Sequence, residues 1–203
     1  MNKDTTMKTT LILCASLLLP LAATAQTSPP APPSASAETP SERVFLIGDS
    51  TVARSSGWGG AFCARHLKPA AACVNLARGG RSSGSFRAEG LWDAALDQVR
   101  APGAKRTWVL IQFGHNDQPG KPGRSTDLAT EFPANLARYV DEVRAAGAIP
   151  VLVTPLTRRS FRDGKLQNDL APWAEAARRI AARKKVALVD LNAKSAAAVQ
   201  AMG

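Results

Sequence analysis

The stretch VFLIGDSTVA, residues 44–53, drives an apolar run straight into Gly48, Asp49 and Ser50. Val, Phe, Leu and Ile without a polar break read as a strand covered on both faces. Gly, Asp and Ser at its end read as a tight turn that leaves a hydroxyl at the rim of a sheet. A serine in that place is either a turn residue or a nucleophile, and the second reading requires partners elsewhere in the chain.

Four further runs resemble the first: ACVNLA (72–77), TWVLIQF (107–113), AIPVLVT (148–154) and VALVD (186–190). Each is rich in Val, Ile and Leu and mostly continuous rather than alternating, as in a parallel sheet buried on both sides. Helical spacing lies between them. From Glu131, the positions Phe132, Leu136, Tyr139, Val140 and Val143 recur at three and four, and Gly147 supplies a stop. From Asp169, Leu170, Trp173, Ala177 and Ile180 do the same, with Pro172 tolerated in the first turn. A third helix is read from Phe86 towards Val99, weakened by Gly90. Strand alternating with helix implies right-handed crossovers and an open, doubly wound α/β sheet.

The ends of the chain have a different character. Lys3 and Lys8 precede an apolar run from Leu11 to Leu21, followed by Ala23-Thr24-Ala25, so residues 1–25 read as a cleavable secretory signal. The run is short for a membrane span, although a single uncleaved anchor remains an alternative. Residues 26–42, QTSPPAPPSASAETPSE, read as a Pro/Ser/Ala-rich linker, and residues 43–203 as one domain. In an oxidising compartment Cys63 and Cys73 read first as a disulfide; a metal site using His66 as well lacks a fourth ligand. The formal net charge of +10 favours anionic partners such as acidic polysaccharide or anionic lipid, or it marks only a solvated basic surface. Neither a phosphate-binding glycine loop nor a nucleic-acid-reading module is present in the sequence.

Ligand sites of doubly wound sheets lie beyond the carboxyl ends of the strands. The polar segments GDST (48–51), ARGGRSSGS (77–85) and GHNDQPG (114–120) each follow a strand directly, so three loops converge there. Acyl transfer needs a nucleophile, a base and donors aimed at the developing oxyanion. Ser50 offers its hydroxyl and, at the entry to a helix, its own N–H. Gly80 can bring a second N–H close because no side chain intervenes. Asn116 offers a side-chain amide.

In this order, IGDSTVA, NLARGGRSS and IQFGHNDQ resemble the first three blocks of the GDSL or SGNH hydrolases. GDST with GWGG and FGHND is most similar to the rhamnogalacturonan acetylesterases within them. The resemblance spans residues 43 to about 192 and implies a three-layer α/β/α sandwich with a five-stranded parallel sheet, flavodoxin-like in its winding. It implies a secreted serine esterase working on acetylated acidic polysaccharide or a small ester, as a monomer without cofactor or metal, with no nucleic-acid partner and no stable membrane insertion. Ser50 would be the nucleophile; Ser50, Gly80 and Asn116 would form the oxyanion hole. Another acyl specificity, or a non-catalytic carbohydrate- or envelope-binding protein on the same fold, is the alternative.

The family also carries an Asp-x-x-His block after its fifth strand, and this sequence has none: its last histidine is His115. The reading is therefore of a chain truncated before that block, lacking the general base and the closing helix. Asp190 is read as a strand-end carboxylate. Asp49 and Asp117 are read as holding the loops through local hydrogen bonds. Arg81 and His115 are assigned to substrate binding, Arg54 to an exposed loop, and Trp58 to packing at a helix start.

Overall fold

The computed structural model describes residues 40–203; the signal and most of the linker fall outside the described residues. All five apolar runs become strands: β1 (Glu42–Gly48), β2 (Ala71–Asn75), β3 (Arg106–Gln112), β4 (Ile149–Val153) and, after a hairpin of β5 (Phe161–Arg162) and β6 (Lys165–Leu166), β7 (Ala187–Val189). The five pair in parallel in the order β2-β1-β3-β4-β7. β1 starts at Glu42, inside the stretch read as linker.

Side chains alternate across the sheet. Phe45, Ile47, Val109 and Ile111 enter a large core with α3 (Leu91–Arg100), α4 (Glu131–Ala145) and α5 (Ala171–Lys184). Val44, Leu46, Trp108 and Leu110 face the other way, towards α1 (Trp58–Arg65). Helices on both faces make the three layers. Among the described residues no helix is long and apolar enough to cross a membrane.

Three local expectations need correction. The single helix read from Phe86 is two, α2 (Ser85–Ala88) and α3, because the chain turns at Gly90 with φ 72°. Ser50 does not enter a helix directly: residues 49–57 form successive turns, and α1 begins only at Trp58. A helix does follow the fifth strand: α6 (Leu191–Met202), capped by the Asp190 carboxylate accepting from the Ala193 N–H, covers residues in which no element was read. Gln200 of α6 bonds the backbone of Leu166 and Gly164, so the helix leans on the hairpin.

Candidate active site

The loop after β1 is organised by Asp49, which is fully buried. Its Oδ1 accepts from the Thr51 N–H (2.8 Å) and hydroxyl (2.7 Å), the local turn that Asp favours. The Thr51 hydroxyl in turn accepts from Gln112 Nε2 at the end of β3 (2.6 Å), and Gln112 Oε1 accepts from the Trp58 indole (3.0 Å). A side chain at Gly48 would lie 2.6 Å from the Gln112 carbonyl and from Val52, so the close strand approach requires glycine. Ser50 is left half-buried at the top of this turn. Among the described residues its hydroxyl and its N–H have no hydrogen-bond partner.

The loop after β2 is drawn onto the first by the Arg78 N–H, which donates to the Gly48 carbonyl (2.9 Å). A Cβ on Gly79 would sit 3.6 Å from that of Ser50, so the loop passes the nucleophile with room for no more than one extra carbon between them. Gly80 follows with φ 79°, a left-handed conformation that suits glycine, and its N–H has no acceptor among the described residues.

The loop after β3 closes the crevice. Asn116 is buried and donates through Nδ2 to the Arg81 carbonyl (3.1 Å), one residue beyond Gly80. An amide carries two N–H donors, so one bond leaves the other available. Asp117, fully buried, accepts from the Ser83 N–H (3.0 Å), the Ser83 hydroxyl and the Thr126 hydroxyl (2.9 Å). Burial pushes its carboxyl up to about 6 although those bonds pull the other way. Ser83 is itself held by Asn135 and Tyr139 of α4, which ties the second and third loops to the core.

The two residues assigned to substrate lie against protein groups. Arg81 pairs with Glu89 (2.8 Å) and donates to the Gly79 carbonyl (3.0 Å). His115 is buried, with Nδ1 facing Asp49 Oδ2 at 3.7 Å, beyond hydrogen-bond distance. Burial holds its pKa below the usual imidazole value against the pull of Asp49, with Arg158 and Lys121 adding to the depression. The ring is therefore neutral at neutral pH. Its carbonyl accepts from Lys121 and from Arg158, and Arg158 also pairs with Asp169.

Elsewhere, Cys63 of α1 and Cys73 of β2 are joined in a disulfide, Cα to Cα 5.5 Å. Trp58 packs edge-on against Phe62. His66 caps α1 and is exposed. Asp190 is bound by Arg178 (2.8 Å) and Thr154 (3.0 Å), and the guanidinium holds its carboxyl below the usual range. Sequence reasoning missed Ser83, Lys121 and Arg158. The first two lie in or beside the quoted loops and were within reach; Arg158 carries no local signal.

A hydroxyl, a glycine N–H and an asparagine amide thus sit on three adjoining loops at the carboxyl end of a parallel sheet. The model of the GDSL-like lipase/acylhydrolase family matches residues 46–202. The chain belongs to this family. It is 37% identical over 161 residues to the probable rhamnogalacturonan acetylesterase YesY of Bacillus subtilis, covering 76% of this chain and 72% of that protein. It is 36% identical over 169 residues to the rhamnogalacturonan acetylesterase RhgT of the same organism, covering 79% and 69%. The crystal structure of Bacillus subtilis YxiM superposes with a TM-score of 0.68 at 27% identity, over 80% of this chain but only 47% of that one. A mutant form of Axe2, an acetyl-xylooligosaccharide esterase from Geobacillus, gives 0.60 at 20% identity over 78% and 80%, which supports the fold. Family and fold make this chain an SGNH-type carboxylic ester hydrolase, similar to the rhamnogalacturonan acetylesterases.

Proposed function

We propose that the protein is a secreted serine esterase that removes acetyl groups from pectic polysaccharide through an acyl-enzyme intermediate. The observation that carries this reading is the close passage of the Gly79-Gly80 loop beside Ser50, with the Asn116 amide anchored one residue past Gly80. Ser50 Oγ attacks the acetyl carbonyl. The N–H groups of Ser50 and Gly80 and the second Asn116 N–H receive the oxyanion, which collapses with cleavage of the ester C–O bond so that the sugar hydroxyl departs with the proton lost by Ser50; water then hydrolyses the acetyl–serine ester to acetate and the free serine hydroxyl. Donors fixed before the reaction stabilise the transition state without reorganisation. The preference for acetylated rhamnogalacturonan rests on the two Bacillus relatives. The signal-like N-terminus and the Cys63–Cys73 bond support secretion into an oxidising compartment.

The proton acceptor is unassigned. Neither histidine of the sequence hydrogen-bonds the Ser50 hydroxyl, His66 being exposed on α1 and His115 turned to Asp49. The test is acetate release from acetylated rhamnogalacturonan and from p-nitrophenyl acetate, with Ser50→Ala as control. We expect release from both and its loss in the variant. Unchanged turnover in Ser50→Ala would remove Ser50 from the mechanism; turnover of the small ester alone would remove the pectic substrate.

A further inference from the structure

Three consecutive carbonyls in the loop after β2 accept from side chains. Arg81 Nη1 donates to the Gly79 carbonyl (3.0 Å), Arg124 Nη1 to that of Gly80 (3.5 Å) and Asn116 Nδ2 to that of Arg81 (3.1 Å). The first bond matters most, because the Gly79 carbonyl belongs to the same peptide unit as the Gly80 N–H, one of the three oxyanion donors. In a trans peptide the carbonyl and the following N–H point to opposite sides. A donor held on the carbonyl therefore fixes the direction of the N–H. Between two glycines that direction has little steric determination of its own, since neither residue carries a Cβ and Gly80 stands at φ 79°. The guanidinium is braced in turn. Arg81 Nε donates to Glu89 Oε2 (2.8 Å), and Glu89 closes α2 with its own N–H on the Ser85 carbonyl (3.0 Å).

From this arrangement we infer that Arg81, braced by Glu89, is a positioning residue that turns the Gly79–Gly80 peptide towards the oxyanion and strengthens its N–H as a donor. The inference rests on the serine-esterase reading of the Ser50 site and adds what sets one of its donors. A charged donor on a carbonyl draws electron density out of the amide, so the N–H on the other side binds an anion more strongly; this is the mutual polarisation of hydrogen bonds in a chain. The side chains of Arg81 and Glu89 are 41% and 42% exposed. An ion pair so open to water contributes little to stability. Its geometry, one planar fork spanning a carboxylate and a carbonyl, acts on orientation instead.

The test is hydrolysis of p-nitrophenyl acetate by the full chain, a neutral ester with no acid group for an arginine to hold. Arg81→Ala, Glu89→Ala and the double variant are compared with wild type, with Ser50→Ala, and with Arg100→Ala, which removes an exposed arginine from α3. Deleting an oxyanion donor outright costs about 10²–10³-fold in kcat. Loss of its orientation in Arg81→Ala should therefore lower kcat about tenfold, with KM unchanged within about twofold. Glu89→Ala should lose less, and nothing further once Arg81 is gone; Arg100→Ala should match wild type. A readout that needs no turnover is the Gly80 amide cross-peak in protein isotopically labelled at glycine nitrogen. Its proton shift should move upfield in Arg81→Ala, while the peak of Gly147, beyond the end of α4, stays in place. An unchanged kcat in Arg81→Ala, a loss confined to KM, additive losses in the double variant or an unmoved Gly80 peak would each overturn the inference, and loss of hydrolysis in Ser50→Ala would leave the esterase reading standing. Unchanged hydrolysis in Ser50→Ala would overturn that reading and the role of Arg81 with it, even if the Gly80 peak moves.

Discussion

The two faces of the sheet are held by different means. On the side of α3, α4 and α5, Trp92, Phe113, Tyr139, Phe132 and Ile111 are all at most 1% exposed, and the rings interlock, Trp92 edge-on to Tyr139 at 4.6 Å and Phe113 stacked on it at 5.5 Å. On the side of α1, Val44, Leu46 and Val52 are buried, while Trp58, Phe62 and Leu110 remain half-buried around them. At the β7 end of the sheet, Val189 is 42% exposed. Where packing is thin, the chain uses a covalent tie: the disulfide joins α1 to β2. The active-site loops are tied by a polar layer of their own: Asp117 gathers N–H and O–H donors from Ser83 of the loop after β2, and Asp49 holds its own turn through Thr51.

Substitutions can break this contrast one layer at a time. The largest loss belongs to Phe113→Ala, which empties the centre of the aromatic cluster; a buried Phe truncation costs about 3–5 kcal/mol, read as a lower urea midpoint. On the other face, Phe62→Ala should cost clearly less, and a loss equal to that of Phe113→Ala would refute the asymmetry. Replacing both Cys63 and Cys73 by Ser comes next. Freeing a closed loop of this size from its cross-link costs about 2–3 kcal/mol, and the loss should vanish when both proteins are compared under reducing conditions.

The polar layer is tested through pH. A carboxyl raised in the folded state binds its proton more tightly there than when unfolded, so the stability it contributes is present at low pH and falls as pH rises from about 4 to about 6. Asp117→Asn should therefore flatten that part of the pH–stability curve. The flattened segment is on the order of 3 kcal/mol, given about 1.4 kcal/mol per pKa unit; an unchanged curve would show that Asp117 does not titrate there. The smallest effect belongs to Val189→Ser, within about 0.5 kcal/mol, because the residue is already 42% exposed.

The strands were legible because a strand covered on both faces leaves an uninterrupted apolar run, and all five such runs pair as one sheet. The helix α6 was not, since LNAKSAAAVQAM carries helix-forming alanines without an apolar stripe. Asp190 three residues before Ala193 was the one usable capping signal. The hairpin at 161–166 is two residues per strand and mostly polar, too short for periodicity to register. At the site, the loops and their donors were readable because each follows its strand at once. The neighbours of Arg81 and His115 were not: Arg81 pairs with Glu89 eight positions away, and His115 faces Asp49, sixty-six positions earlier in the chain, without a hydrogen bond. Local spacing carries no record of such pairings.

The bonds between Ser83 and Asp117 place the glycine and asparagine donors on a common footing, joined to α4, while the nucleophile stands on a separate turn governed by Asp49. The attacking group can therefore be exchanged without disturbing the cradle that receives the charge. A Ser50→Cys protein would keep the same anion cradle and present it with a different nucleophile, which makes this scaffold a natural starting point for thioester chemistry.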